Sequence, residues 1–197
     1  MATTHITRRS HHTDKAVPAA RTSDTTTVAE TAGTAPSKAV KYFAGGLRLA
    51  LGWTFLWAFL DKTFGLGYAT PKEGAWLEGG SPTEGFLTFA AKGPFKGIYN
   101  DIAGAAWADW LFMIGLAGIG IALILGVFVN IASASGALLL VLMWTAVMMP
   151  ENNPFMDDHL IYAGLLGLLA LMHAGRYLGL GAMWERMPFV QKYPLFR

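Results

Sequence analysis

The chain has 197 residues, of which 53% are hydrophobic and only 14% are charged, whereas soluble domains average roughly a quarter charged residues. This composition excludes an ordinary water-soluble domain, and the net charge of +2, spread over scattered Lys and Arg, excludes nucleic acid as a partner. Because the sequence has no cysteine, it also excludes dithiol chemistry, a disulfide and an iron–sulfur cluster, so a redox role would need a bound cofactor or another subunit.

Residues 1–39 are predicted to be a disordered cytoplasmic tail. They are rich in Thr, Ala and Ser and contain no apolar run, so they lack the apolar surface that a packed core requires. A signal peptide needs a short apolar core behind its positive charges, and none precedes Val40. We therefore expect the first apolar segment to be a retained membrane span, at the start of a membrane domain that covers residues 40–197.

Four apolar segments approach the length of about 20 residues that a helix needs to cross a bilayer. The second and third contain no charged residue, and Pro150 ends the third because proline removes a backbone donor. The turn between these two, around Asn130 to Ser135, is short enough to require an antiparallel hairpin. The sequence thus predicts an all-α integral membrane protein, a four-transmembrane-helix bundle with spans at residues 42–60, 110–129, 131–149 and 160–180.

The distribution of Lys and Arg predicts the side of the membrane on which each loop lies, because cytoplasmic flanks hold these residues in excess. The loop after Met149 carries Glu151, Asp157 and Asp158 but no base, as expected on the outer side. An even number of spans then places both termini in the cytoplasm, and we expect the protein in the cell (cytoplasmic) membrane. The basic flanking residues are Arg8, Arg9, Lys15, Arg21, Lys38 and Lys41 before the first span, and Arg176, Arg186, Lys192 and Arg197 towards the C-terminus.

The long loop between the first two spans, residues 61–109, is predicted to be extracytoplasmic and partly helical, because a structureless connection of this length is uncommon. Ser81 fits the N-cap of a short helix, with Pro82 at its first position and Glu84 at its third. We expect two short helices at the outer interface. They either pack as a lid on the helix ends or help to bind a ligand or partner, and the sequence leaves both alternatives open.

Pairs of small residues four positions apart let membrane helices approach closely. Such pairs favour a compact bundle but are too common in membrane helices to predict particular contacts. They are Gly46 and Ala50, Gly118 and Ala122, and Ala163 and Gly167.

Arg48 lies about seven residues into the first predicted span, or roughly 10 Å along a helix. A charge at this depth is costly unless it snorkels or pairs. Snorkelling to the cytoplasmic headgroups is one alternative; otherwise Arg48 faces the bundle and holds a polar group or the oxygen of a ligand. Phe55 shares the face of Arg48 by helical spacing, whereas Trp57 and Asp61 lie on a different face. The sequence does not show which of these faces meets lipid.

The fourth predicted span carries a second set of candidates, in a stripe from His159 to Tyr177 that includes Tyr162 and His173. The two His would be about 21 Å apart along one helix, so they cannot ligate one metal, and no metal site is predicted. Each could bind a separate haem or a quinone carbonyl, or be satisfied within the bundle or at the interface. A polar cluster is also expected at the outer mouth of the bundle. It could relay protons, or it could be the ordinary acidity of an outer loop, and the sequence leaves both interpretations open. Its members are Asp61, Lys62, Asp157, Asp158 and His159, with Glu151.

Several stretches of the chain resemble the DoxX/DoxD membrane family. They are residues 47–56 (LRLALGWTFL) followed by Asp61-Lys62, residues 118–126 (GIGIALILG), residues 150–163 (PENNPFMDDHLIYA) and residues 179–181 (GLG). The resemblance covers about residues 40–195, and its most specific part is 150–163, which is long and polar. It implies a four-helix membrane protein in which Arg48, Asp61 and Lys62 match the family's Arg in the first helix and its Asp-Lys at the outer end of that helix.

The resemblance also implies a function. DoxD-type members are described as the large, quinone-facing subunit of a thiosulfate:quinone oxidoreductase, so the chain is a candidate membrane subunit that passes electrons from a small sulfur compound to quinone. A quinone pocket needs aromatic walls with a few polar groups, and Arg48 with Phe55 and Trp57, or His173 with Tyr177, are the candidates.

The alternative is a non-catalytic accessory subunit of a larger respiratory or redox complex, and whether the chain is itself an enzyme stays open. Other DoxX-like members act as membrane partners of soluble redox or detoxification enzymes, which this alternative resembles. Both interpretations imply the lipid bilayer and other membrane or extracytoplasmic redox subunits as partners.

Overall fold

The structure, a computed structural model, describes residues 1–2, 36–148, 153 and 155–197. The chain divides into two units, residues 1–35 and residues 36–197, and all helices of the described residues belong to the second. Residues 3–35 of the tail predicted at 1–39 lie outside the described residues. Residues 149–152, which include Pro150 and Glu151, also lie outside them. The described part of 36–197 is helical, with no strand in it.

Three helices are long and apolar enough to cross a membrane, which makes this a membrane protein by length and composition. They are α1 (Lys38–Phe64), α3 (Ala106–Leu125) and α4 (Val129–Ala146), and a fourth apolar helix, α5 (Asp158–Leu171), has 14 residues. The shorter helices are α2 (Lys96–Ile102), α6 (Gly181–Trp184) and α7 (Pro188–Lys192).

The first helix is longer than its predicted span of 42–60. It starts at Lys38, where the side chain of Ser37 accepts a hydrogen bond from the backbone N–H of Val40, and it ends at Phe64 before Gly65 in the left-handed conformation. Apolar patterning marks only the lipid-compatible part of a helix, whereas backbone hydrogen bonding continues through polar turns at both ends.

The turn between the second and third long helices lies at residues 126–128, not at Asn130 to Ser135 as predicted. Gly126 ends α3 with a φ of 76°, and its N–H bonds to the carbonyl of Ala122. The polar residues that suggested a turn are inside α4, where the hydroxyl of Ser135 donates to the carbonyl of Ile131 at 2.7 Å. A serine that bonds to the preceding turn is compatible with a membrane helix, so its polarity was a misleading signal.

The last apolar helix is shorter than predicted. Asp157 is the N-cap of α5, whose final residue is Leu171, and His173 then has a φ of 51°, which takes the chain out of the helix. Residues Ala174–Arg176 form a short 3-10 turn. The predicted stripe from His159 to Tyr177 is therefore broken, because His173 and Tyr177 do not belong to α5.

The bundle has two distinct ends, which we call the Arg48 end and the Asp109 end. α1 packs on α3, α3 on α4 and α4 on α5. At the Arg48 end, where α3 stops and α4 starts, residues 172–197 fold over the helix termini, and the N–H of Asn130 donates to the carbonyl of Arg197. At the Asp109 end, where α1 and α4 stop and α3 starts, lies the connection of residues 65–105.

The stretch of chain from Phe155 to Tyr177, which contains α5, runs along the length of the bundle. At the Asp109 end the indole N–H of Trp144 donates to the carbonyl of Phe155, just before α5. At the Arg48 end Tyr177, just after α5, accepts a hydrogen bond from Arg48. The stretch that contains α5 thus runs from one end of the fold to the other.

Two glycines allow α1 and α3 to pack closely. A Cβ on Gly120 would lie 2.7 Å from the backbone nitrogen of Leu56, and one on Gly52 would lie 2.9 Å from Ile124. By contrast, Gly118, a member of a predicted small-residue pair, has no neighbour within 4 Å of such a Cβ. The close contact on α3 is therefore made by Gly120, which the spacing of small residues did not single out. The buried core between the helices includes Phe55, Met113, Leu116, Ile119, Leu123 and Leu166.

We expect Gly120→Ala to lower the free energy of unfolding by about 1–3 kcal/mol, because the added methyl group would overpack against the backbone of α1. Gly118→Ala is the matched control on the same helix and should be neutral or stabilise by up to about 1 kcal/mol through helix propensity. Unfolding in mixed detergent micelles with increasing denaturing detergent would measure both. Equal stability of the two variants would contradict this packing of α1 on α3.

Candidate functional site

The side chain of Arg48 is the most enclosed charged group of the described residues, with 0% of its surface exposed. Its Nη1 donates to the backbone carbonyls of Leu123 and, at 3.1 Å, Ile124. Its Nη2 donates to the carbonyls of Tyr177 and Leu178, each at 3.0 Å. The guanidinium therefore joins α1, the end of α3 and the C-terminal segment.

These contacts complete the end of α3. The last four carbonyls of a helix have no partner within it, and in lipid no water is present to supply one. The carbonyl of Ala122 accepts from the N–H groups that follow α3, and that of Leu125 accepts from the N–H of Leu180 at 2.8 Å. Arg48 donates to the two carbonyls between them, those of Leu123 and Ile124. A positive charge also suits the negative end of the helix macrodipole.

Glycines bring the backbone close enough for Arg48 to reach it. A Cβ on Gly179 would lie 2.9 Å from Nη2 and 2.8 Å from the carbonyl oxygen of Leu125. A Cβ on Gly126 would lie 3.1 Å from Nη1 and 2.7 Å from the carbonyl oxygen of Gly175. Both glycines fall in the stretches that resemble the DoxX family, and in this fold they surround the arginine that the resemblance also singled out.

Of the two alternatives for Arg48, the structure shows the one in which it points into the bundle and holds polar partners. Snorkelling requires the guanidinium to reach solvent or headgroups, and here it is fully enclosed. Its partners are backbone carbonyls, which the sequence could not indicate because every residue has one. Within the guanidinium, Nε alone has no hydrogen-bond partner among the described residues.

The other candidate quinone ligands do not gather around Arg48. Phe55 is buried in the core about 10 Å further along α1. Trp57 lies nine residues from Arg48, half a turn round the helix, where its ring is 5.2 Å from that of Tyr68. His173 is exposed and lines a cavity of about 10 Å³, which has room for about one water. Tyr177 meets Arg48 through its backbone carbonyl.

At the opposite end, Asp61 fixes the chain just after α1. Its buried carboxylate accepts from the backbone N–H groups of Tyr68, at 3.2 Å, and Ala69, at 3.0 Å. The neighbouring Lys62 is half-buried, with its Nζ 5.9 Å from the centre of the Phe112 ring. Of the Asp-Lys pair expected at the outer mouth, Asp61 thus organises the first turns of the 65–105 connection, whereas Lys62 lies against α3.

A second buried carboxylate, Asp109, holds the middle of the same connection. Its Oδ1 accepts from the hydroxyl of Ser81 at 2.8 Å, from the N–H of Thr83 at 3.1 Å and from the hydroxyl of Thr83 at 2.6 Å. Ser81 also accepts from the N–H of Glu84 at 3.1 Å, as the predicted N-cap would. The helix that follows is a π-helical stretch, Phe86–Ala90, whose own N-cap is Gly85.

Sequence reasoning missed the role of Asp109. It was treated as the boundary of the second span, yet it occupies the first turn of α3, where the structure buries it. The available signal was an acid at the start of a strongly apolar helix, which is expensive in lipid unless it is satisfied.

The remaining polar residues cluster at the start of α5. His159 Nδ1 lies 2.7 Å from Asp157 Oδ2 and 3.4 Å from Asp158 Oδ1, and one ligand atom from each residue falls within 4.8 Å of the others. Asp157 also caps the helix through the N–H of Leu160. In the described residues no hydrogen bond or ion pair links this cluster to Asp61, whose carboxylate bonds to Tyr68 and Ala69 instead.

No family model matches the chain, and no curated protein or solved structure gives a significant match. The resemblance to the DoxX family therefore remains an expectation that rests on residues 47–56, Asp61-Lys62, and residues 118–126, 150–163 and 179–181.

Proposed function

We propose that the protein is a multi-pass subunit of the cytoplasmic membrane with four crossings and both termini in the cytoplasm. The fourth crossing is supported by the path of the chain from Phe155 to Tyr177, which runs from the Asp109 end to the Arg48 end. Helix α5 covers about 21 Å of that path, and the 3-10 turn at Ala174–Arg176 lengthens it. The orientation rests on the excess of Lys and Arg in the flanks.

Within the quinone-linked redox system that the DoxX resemblance suggests, we infer that this chain is the non-catalytic accessory subunit. The observation that carries this choice is the bonding of Arg48, whose Nη1 and Nη2 both donate to backbone carbonyls. A quinone oxygen could bind Nη1 or Nη2 only after displacing carbonyls that close the end of α3. The cost of leaving those carbonyls without donors favours a structural arginine over a quinone ligand.

The surface offered to a partner is the 65–105 connection. Asp61 and Asp109 fix it to the helix ends, so it is a folded layer. It exposes large apolar side chains, among them Tyr68 at 78% and Phe89 at 84%, together with Leu77 and Ile98. Apolar groups exposed on a fixed layer are typical of protein interaction sites, and a partner on the outer side would be an extracytoplasmic or membrane redox subunit.

Purification from native membranes in mild detergent tests this function. We expect a redox subunit to co-purify with the chain, and Phe89→Ser combined with Leu77→Ser to weaken the complex about tenfold or more. Lys72→Ser, an exposed position in the same layer, is the control and should retain the partner. If no subunit co-purifies, and the isolated chain holds quinone and turns it over, then the chain is itself the enzyme.

The orientation can be tested by thiol labelling, because the chain has no native cysteine. Glu78→Cys, in the 65–105 connection, should react with an impermeant thiol reagent in intact cells, since its position is exposed. Arg186→Cys, exposed in the C-terminal segment, should react only after the membrane is opened. The reverse pattern would overturn the orientation and leave the fold unaffected.

A further inference from the structure

Residues 181–197 of the C-terminal segment lie at the level where two membrane-spanning helices end. With 20 and 18 residues, α3 and α4 are about 30 Å and 27 Å long, which matches the thickness of the hydrocarbon. The turn at 126–128 between them therefore lies at the surface of the bilayer. Phe128 in this turn has its ring centre 4.5 Å from that of Trp184 and 5.9 Å from that of Phe196. These ring contacts hold residues 181–197 at the level of the lipid headgroups.

The side of α7 that faces away from the bundle carries an apolar patch around a lysine. Val190 is fully buried, and Lys192, two residues later, lies on the opposite side of the helix by helical spacing. The Nζ of Lys192 is 5.4 Å from the centre of the Tyr193 ring, which is 6.0 Å from that of Phe189. We call the exposed group of Lys192 with Met187, Phe189, Tyr193 and Leu195 the Lys192 patch; its apolar members are 43% to 63% exposed.

The surroundings of the Lys192 patch are positively charged. At this end of the bundle, residues 36–50, 120–134 and 172–197 contain a single acidic residue, Glu185. Its carboxylate accepts a hydrogen bond from Nε of Arg176 at 2.6 Å, whereas the exposed Arg186 and Lys192 form no ion pair with any described residue. Exposed apolar side chains beside unpaired bases are typical of a segment that lies in the membrane interface. A surface that met only water would leave these apolar groups exposed.

We propose that the Lys192 patch binds anionic phospholipids, with Phe189 and Tyr193 at the boundary between headgroups and acyl chains and Lys192 against the lipid phosphates. Tyrosine is enriched at this depth because its ring is apolar and its hydroxyl is polar. A lysine near the surface favours an anionic lipid about fivefold. The cytoplasmic leaflet, on which the proposed orientation places this end, is the negatively charged one. The site does not depend on whether the chain is accessory or catalytic.

Because the chain has no native cysteine, a bimane fluorophore attached at Leu195→Cys tests the patch in the full chain. Leu195 is 63% exposed, so an apolar label replaces an apolar group at the surface. The chain would be placed in nanodiscs of equal parts phosphatidylglycerol and phosphatidylcholine, with a nitroxide near the top of the acyl chain on one lipid at a time. We expect both lipids to quench the label, with phosphatidylglycerol enriched around it about fivefold or more.

Variants of Lys192 separate the charge from the apolar contacts. Lys192→Gln should lower the enrichment about fivefold and leave quenching by phosphatidylcholine unchanged, and Lys192→Glu should favour phosphatidylcholine. Lys72→Gln, the matched control, removes an exposed lysine of the 65–105 connection and should keep the wild-type preference. A label at Glu78→Cys in the same connection should show no preference for phosphatidylglycerol. Size-exclusion chromatography would confirm that every variant is folded.

Four results would overturn the proposal. Quenching of the Leu195→Cys label by aqueous iodide but by neither lipid would show that the patch faces water and is free for a soluble partner. Protection from the lipids and from iodide would show that a second copy of the chain covers it. Equal quenching by the two lipids would show contact without selection by charge. An unchanged preference in Lys192→Gln would show that another group selects the lipid. None of these results bears on the co-purification that tests the accessory role.

Discussion

Replacing Arg48 by leucine should release the C-terminal segment, residues 172–197, from the end of the bundle while leaving membrane insertion intact. Leucine inserts into hydrocarbon more readily than arginine, so the helix would still enter the membrane. The carbonyls of Leu123, Ile124, Tyr177 and Leu178 would lose their donor. Each buried carbonyl left unsatisfied costs about 1–3 kcal/mol, so the free energy of unfolding should fall by at least about 3 kcal/mol.

Arg48→Lys should give an intermediate loss. Lysine keeps the charge but replaces the planar fork by one ammonium group, which cannot reach both pairs of carbonyls in the present geometry. The variant should therefore retain the closure of α3 or the contact to the C-terminal segment, but not both.

Unfolding in detergent and digestion with chymotrypsin would measure these effects, because a released C-terminal segment exposes the partly buried Tyr177 and Trp184 to cleavage. Arg186→Leu is the control, since this exposed arginine makes no side-chain hydrogen bond or ion pair in the described part of the chain. If Arg48→Leu resists unfolding and cleavage as well as Arg186→Leu, the arginine does not hold the end of the bundle.

The main helices of the fold could be predicted from the sequence because their signal is local. Apolar runs identified α1, α3 and α4 to within about four residues at each end, which is usual for element boundaries. The errors at residues 126–128 and after Leu171 have a non-local cause. At these turns Gly126 and Gly175 pack against each other's backbone, and Gly126 and Gly179 pack against Arg48. No local pattern encodes such contacts.

The candidate site was predictable in part for the same reason. The depth of Arg48 in an apolar segment required a partner, and the structure supplies one. The identity of that partner was not predictable, because backbone carbonyls carry no residue-type signal. His173 and Tyr177 were grouped by assuming a helix that continues past Leu171, where α5 in fact ends, so their proposed convergence depended on a boundary that the sequence did not define.

Replacing Asp109 by alanine should loosen the 65–105 connection and leave the helices of the bundle in place. The change removes the acceptor of three hydrogen bonds from Ser81 and Thr83. The hydroxyl of Thr83 also accepts from the N–H of Gly104, so both sides of the connection depend on this carboxylate. Because hydrogen bonds to charged groups are worth about 1.5–3 kcal/mol each, local stability should fall by about 2–4 kcal/mol after relaxation.

Hydrogen exchange followed by mass spectrometry would detect this loosening at the amides of Thr83, Leu87 and Lys92, which are hydrogen-bonded in the native connection. Asp109→Asn keeps an acceptor oxygen without the charge and should show a smaller increase in exchange. Asp101→Ala removes an exposed carboxylate from α2 of the same connection and should leave exchange unchanged. If Asp109→Ala and Asp101→Ala exchange alike, the connection is fixed by its apolar contacts. Faster exchange in Asp109→Ala, together with weaker retention of the partner, would show that the buried carboxylate maintains the surface on which the partner docks.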